Sequence, residues 1–172
     1  MIVVDASVLI NAITDDGPVG TAGRAELGRD PHWAAPEHLV VEVFSAIRGR
    51  WLCRRVSEQR AIDALAAMAA ATVDLVASTP LLDRMWELRH NVKGYAAAYL
   101  AVAETFGCAL VMADARLPQV PGLRCEVRLA LPTDEECRRW PPSVIVIRVQ
   151  NGPAAPRWSH GANRHSHQKP QC

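Results

Sequence analysis

The chain opens with the stretch that decides its fold, Met1-Ile2-Val3-Val4-Asp5-Ala6-Ser7-Val8-Leu9-Ile10. Ile2, Val3 and Val4 are apolar and β-branched, which is typical of a short strand buried on both faces. Asp5 ends this run, and apolar residues at helical spacing follow Ser7. The pattern predicts strand, turn and helix, with Asp5 at the carboxyl end of a central parallel strand, where open α/β sheets bind ligands. A role for Asp5 as a simple helix cap explains this stretch equally well.

The composition limits the classes of protein to which the chain can belong. The chain has 172 residues, of which 49% are hydrophobic and 22% charged, and its net charge is +1. This length suits one domain, and the charge indicates no nucleic-acid, membrane or acidic partner by itself. The five cysteines have irregular spacing without a CxxC pair, which is typical of a reduced protein. Because neither a signal peptide nor a membrane-spanning run is evident, we expect a cytoplasmic protein with no membrane partner.

Strand patterns alternate with helical patterns along most of the chain. Short apolar runs at 2–4, 32–36, 73–76, 109–113 and 124–129 are separated by helical stretches. This alternation predicts a three-layer α/β/α domain with a central, mainly parallel sheet over residues 1–130. The composition changes at residue 131, after which six prolines follow, and we expect residues 131–172 to be a poorly ordered tail. A loose metal-binding tract of three histidines (160, 165 and 167) is a weaker interpretation of that tail.

Pro36 is predicted to be the first residue of a helix, which then runs from about residue 37 to residue 52. Its apolar face is expected to comprise Leu39, Val40, Val43, Phe44 and Ile47. Five arginines follow within a short span, at positions 48, 50, 54, 55 and 60. They fit either a patch that binds RNA or an acidic segment of a partner protein, or an ordinary solvated face.

Three acids stand out as candidate ligands. Asp5 and Asp114 each follow a predicted strand, and parallel strands bring their carboxyl ends to one edge of the sheet. Glu42 lies in an apolar helical stretch, so it needs a cation or a strong hydrogen-bond donor nearby. Clustered carboxylates raise one another's pKa unless a metal neutralises them, and oxygen ligands suit Mg²⁺ or Mn²⁺. A surface position for Glu42 and a turn at Asp114 are the simpler alternatives.

Four blocks of sequence, in this order, resemble a PIN domain, and more narrowly the VapC-type ribonuclease toxins of type II toxin–antitoxin pairs. The blocks are residues 4–9, 41–48, 95–104 and 110–117. The resemblance covers residues 1 to about 130. It implies a toxin that is a Mg²⁺- or Mn²⁺-dependent endoribonuclease acting on RNA phosphodiesters. It also implies a cognate VapB-like antitoxin, and it leaves open whether the toxin forms a homodimer.

The resemblance assigns roles to individual residues. Asp5, Glu42 and Asp114 match three acidic positions of the family and would be both the metal ligands and the catalytic residues. Ser7 matches the hydroxyl residue that supports the first acid. Arg116 matches a basic position that would contact RNA phosphate or pair with the acidic cluster.

The chain departs from the family pattern at two positions. Ala96 replaces an acid that usually follows the tyrosine of the third block, and Met112 replaces a hydroxyl residue two positions before the last acid. Losing a metal-site carboxylate costs orders of magnitude in affinity or turnover, so we expect impaired nuclease activity. The sequence leaves open whether Ala96 is natural or introduced. The alternative function is a catalytically inactive PIN domain that binds antitoxin or RNA, whereas a nucleotide-binding domain would need a glycine-rich motif that is absent.

Overall fold

The computed structural model describes residues 1–133, so the expected tail lies almost entirely outside the described residues. Strands alternate with helices over this range. Two short 3₁₀ turns lie at Thr79–Leu81 and Leu117–Gln119. The elements are β1 Ile2–Val4, α1 Ala6–Thr14, α2 Pro18–Leu27, β2 Trp33–Pro36, α3 Leu39–Leu52, α4 Glu58–Ala70, β3 Val73–Val76, α5 Leu82–Glu87, α6 Gly94–Phe106, β4 Ala109–Met112 and β5 Val127–Leu129.

The five strands form one parallel sheet in the order β3-β2-β1-β4-β5. β1 lies at the centre, where Ile2 pairs with Trp33 of β2 on one side and with Ala109 of β4 on the other. Every residue of β1 and β4 is buried, as expected where helices cover both faces of a parallel sheet. The predicted α/β/α architecture and the central position of the first strand are confirmed.

The helix after β2 differs from its prediction in two respects. Pro36 is the last residue of β2 and pairs with Val76, so it does not begin a helix, and α3 starts only at Leu39. A proline at the end of a strand is tolerated because its missing N–H interrupts the ladder only there. The buried face of α3 is the narrow stripe Leu39, Val43 and Ile47.

Val40 and Phe44, which were expected on the buried face of α3, are 44% and 50% exposed. Successive helical positions lie about 100° apart, so Val40 and Phe44 point about 100° away from Leu39 and Val43, the residues that precede them in the buried stripe. In the part of the chain that the structure describes, no helix is long and apolar enough to cross a membrane.

Candidate functional site

Asp5 both caps a helix and lies at the carboxyl end of the central strand. Its side chain accepts a hydrogen bond of 2.8 Å from the Ser7 amide, which makes it the N-cap of α1. Its own amide donates to the carbonyl of Val111 in β4. The two interpretations of Asp5 are therefore compatible, because the capping geometry itself fixes the carboxylate at the edge of the sheet where β1 and β4 end.

Ser7 connects Asp5 to the end of β4. Its hydroxyl donates to Asp5 Oδ1 and accepts a hydrogen bond of 3.1 Å from the amide of Ala113, the residue before Asp114. Burial raises the pKa of Asp5, and repulsion from Asp114 raises it further, against the hydrogen bonds from Ser7 and the charge of His38. Two carboxylates from neighbouring strands are thus close enough to repel each other.

Replacing Ser7 with alanine should raise the pKa of Asp5 further, since the hydroxyl hydrogen bond that stabilises the carboxylate is lost. The Ala113 amide also loses its acceptor, at a cost of about 1 kcal/mol in the free energy of unfolding. Carboxyl ¹³C NMR titration of Asp5 in wild type and Ser7→Ala measures the shift. Ser45→Ala, at an exposed position of α3, is the control, and an unchanged Asp5 pKa in Ser7→Ala would contradict the role given to the hydroxyl.

Asp114 is bound by Arg116. The guanidinium donates through Nε and Nη2 to the two carboxylate oxygens, at 2.9 and 2.6 Å. These hydrogen bonds lower the pKa of Asp114 to about 2, and the charge of Lys93 contributes. The sequence left two roles open for Arg116, contact with RNA phosphate and pairing with the acidic cluster. The structure shows the pairing with an acid. Its side chain is nevertheless 89% exposed, so the ion pair lies at the rim of the site.

A hydrogen bond to Tyr99 links Glu42 to the site. The Tyr99 hydroxyl donates a hydrogen bond of 2.8 Å to Glu42 Oε2, which supplies the donor that an acid in an apolar stretch needs. The pKa of Tyr99 is raised, first by burial and then by Glu42 and Asp5. Glu42 and Asp5 thus both act on one buried hydroxyl, that of Tyr99.

His38 is a site-lining residue that sequence reasoning missed. Its Nε2 lies 3.7 Å from Glu42 Oε2, and this nitrogen is buried without a hydrogen-bond partner. Its ring packs against Tyr99 and Tyr95, with centroids 5.3 and 5.1 Å apart. The only signal in the sequence was its position four residues before Glu42, on the same face of the helix start.

Ala96 lies one turn before Tyr99 in α6, on the same face of the helix. A carboxylate at this position would therefore project toward the acids that Tyr99 contacts. Within residues 1–133, no group of three or more histidine, cysteine, aspartate or glutamate side chains is arranged to hold a metal ion. The donors present therefore fit a hard dication only in part, because the acid that the family pattern places at position 96 is missing.

The arginine cluster is divided between two roles. Arg50 donates to Thr14 and, at 2.8 Å, to Asn11, so it fixes the end of α1. Arg60 pairs with Asp16. The other three arginines, at positions 48, 54 and 55, are exposed, and they remain compatible with both interpretations of the cluster.

Comparison with known proteins gives one family and several relatives. Residues 2–123 match the PIN domain family. Ribonuclease VapC1 of Mycobacterium tuberculosis is 35% identical over 128 residues, which cover 74% of this chain and 96% of the relative. Ribonuclease VapC9 of the same organism is 32% identical over 127 residues, with the same coverage. Ribonuclease VapC12 is 30% identical over 129 residues, covering 75% of this chain and 98% of the relative.

A solved structure has the same fold. The crystal structure of Mycobacterium tuberculosis VapC20, described as a sarcin-ricin loop cleaving toxin, aligns with a TM-score of 0.51 and 22% sequence identity. The alignment covers 69% of this chain and 93% of VapC20. At this identity the likeness concerns the fold.

Proposed function

Since this chain belongs to the PIN domain family, we propose that it is the toxin of a type II toxin–antitoxin pair and acts as a metal-dependent endoribonuclease. Relatives that match nearly their whole length are named VapC ribonucleases, which supports this function. The implied partners are an RNA substrate and a VapB-like antitoxin in the cytoplasm. We assign this function to the domain formed by residues 1–130.

One observation carries the proposal: two carboxylates follow adjacent parallel strands, and the charge of Asp114 adds to burial in raising the pKa of Asp5. Asp5 follows β1, Asp114 follows β4, and Ser7 connects the two strand ends. A buried carboxylate with a raised pKa and a second acid beside it is costly for the folded state. Such an arrangement is favoured when a dication or substrate compensates the charge.

Asp5 and Asp114 would hold the Mg²⁺ or Mn²⁺ ion, with Glu42 as the third acid. The ion would polarise a phosphate and activate water for attack on an RNA phosphodiester. The chain's own residues prepare the site: Ser7 orients Asp5, Tyr99 orients Glu42, and Arg116 holds Asp114 at the rim. Arg116 is also exposed enough to contact RNA phosphate.

A second candidate function follows from Ala96. Because the described residues lack a metal-binding group of three or more ligands, the chain also fits a catalytically inactive PIN domain that binds antitoxin or RNA. The two candidates differ in their affinity for Mn²⁺. The inactive module would bind Mn²⁺ only in the millimolar range or not at all.

Thermal unfolding of wild type and Asp5→Asn, with and without Mn²⁺, tests the metal site. Asparagine caps helices as well as aspartate, so the fold is retained. In EDTA at pH 7 we expect Asp5→Asn to have the higher Tm, because its buried side chain carries no charge. The raised pKa of Asp5 makes the wild type less stable as pH rises, so this difference should vanish below about pH 4.

Mn²⁺ should reverse the order of stability. At tenfold above its dissociation constant, a bound ion adds about 1.4 kcal/mol to the free energy of unfolding of the wild type, and it should add nothing to Asp5→Asn. Asp74→Asn, at an exposed position of β3, is the control for nonspecific binding. An equal Mn²⁺ effect in wild type and Asp5→Asn excludes Asp5 as a ligand, whereas no effect in the wild type favours the inactive module.

A further inference from the structure

An exposed aromatic ring stands beside the acidic site. Tyr95 lies in the first turn of α6 and is 64% exposed. Its ring packs against His38 at 5.1 Å with an interplanar angle of 58°. Through His38, the ring is connected to Glu42 and to the buried Tyr99. The ring of Tyr95 is therefore largely open to solvent, and its contact with His38 limits its movement.

Two exposed cations, Lys93 and Arg116, act on Asp114 of the same site. Lys93, two residues before Tyr95, is exposed and acts electrostatically on Asp114. Arg116, which is paired with Asp114, is 89% exposed. The site therefore has acids at its centre and an aromatic plane and positive charges at its rim. Single-stranded nucleic acid has the complementary chemistry, with flat bases for stacking and phosphates for cations.

We propose that Tyr95 is a stacking platform for an unpaired base of single-stranded RNA, positioned by His38, with Lys93 as the neighbouring phosphate contact. This inference rests on the proposed function, because it assigns the substrate-binding rim of the same site. Stacking on an aromatic ring needs a splayed base, so the platform selects single-stranded RNA over a duplex. It also tolerates different bases, because every base has a π face.

The test measures binding without cleavage. The probe is a fluorescein-labelled eight-nucleotide oligouridylate, titrated with the full chain in EDTA and followed by fluorescence anisotropy. We expect Tyr95→Ala to weaken binding about tenfold, within the range for loss of one base–aromatic stack. Tyr95→Leu, which keeps an apolar contact with His38, should lose as much, and Tyr95→Phe should bind like wild type.

Two further variants sharpen the result. Phe106 ends the same helix and is 45% exposed, about 16 Å away at 1.5 Å per residue. Phe106→Ala should leave RNA binding unchanged. Lys93→Ala should lower the slope of log K against log salt concentration by about 0.7, the value for one phosphate contact on a single strand. Tyr95→Leu should leave that slope unchanged, because stacking is not ionic.

Three outcomes overturn the stacking role: no RNA binding by wild type, unchanged affinity in Tyr95→Leu, or an equal loss of affinity in Tyr95→Leu for the oligouridylate and for the same strand annealed to oligoadenylate. If Tyr95→Leu changes affinity for the antitoxin alone, the ring belongs to a protein interface and the inference also fails. These outcomes are distinct from failure of the nuclease proposal. Absence of cleavage, with the expected loss of RNA affinity in Tyr95→Leu, would remove the catalytic assignment alone.

Discussion

Ala96→Asp is expected to increase Mn²⁺-dependent RNA cleavage by about 100-fold or more. The new carboxylate would lie on the face of α6 that carries Tyr99, and so beside Asp5 and Glu42. It would add one negative charge and one ligand to a site that now has too few for a dication. Losses of metal-site or supporting groups typically cost one to several orders of magnitude, and restoring a ligand should recover a comparable factor.

The measurement compares initial rates of cleavage of a single-stranded RNA by wild type and Ala96→Asp across a Mn²⁺ titration. Calorimetric Mn²⁺ binding is measured in parallel. Ala115→Asp places the same charge at an exposed position next to Asp114 and should have little effect. Asp5→Asn introduced into Ala96→Asp should abolish the gain. Equal rates for wild type and Ala96→Asp would refute the explanation that Ala96 disables the site.

The strands were predictable because their sequences are short runs of apolar residues. The predicted third strand matches β3 at both ends, Val73 and Val76, and the first strand is central because Ile2–Val4 is apolar on both faces. Pro36 was predicted both to end the second strand, which is confirmed, and to begin the next helix, which is wrong, because proline favours both positions. Only its pairing with Val76 in the sheet, which is a long-range contact, decides between them.

The acids of the site were identifiable from the sequence, but their surroundings were not. Asp5 and Asp114 follow strands, and that position alone predicts that they meet at one edge. The contact of His38 with Tyr95 and Tyr99 joins residues more than fifty positions apart. No local pattern encodes such a contact, because it depends on how α3 and α6 pack.

A second network, built on Arg84 and Glu104, should control the stability of the fold. Arg84 of α5 donates through Nε and Nη2 to both carboxylate oxygens of Glu104 in α6, at 2.6 and 2.9 Å. Arg84 also donates to the carbonyl of Gly122, which lies in the connection between β4 and β5. The Glu104 side chain is only 8% exposed. One guanidinium therefore joins two helices to the edge of the sheet.

We expect Arg84→Met to lower the free energy of unfolding by about 2 kcal/mol. Removing one partner leaves Glu104 buried without its cation, which costs about 3–5 kcal/mol for a fully buried pair and less where solvent reaches it. At about 4 °C per kcal/mol, Tm should fall by about 8 °C. Arg89→Met removes an exposed arginine that packs on Trp86, and this control should change stability by less than about 0.5 kcal/mol.

The pH dependence separates a lost ion pair from lost packing at Arg84. Burial raises the pKa of Glu104, but hydrogen bonds from Arg84 and the Arg124 amide outweigh it and hold the pKa below its ordinary value. A lowered pKa stabilises the fold at neutral pH, and this stabilisation is lost as pH falls through the folded-state value. The difference in the free energy of unfolding between wild type and Arg84→Met should therefore shrink below about pH 4.

Arg84→Met combined with Glu104→Met should recover most of the stability at pH 7, because no buried charge remains. If the double variant stays as unstable as Arg84→Met, and the deficit is the same at every pH, the arginine stabilises the fold through its packing and not through its charge.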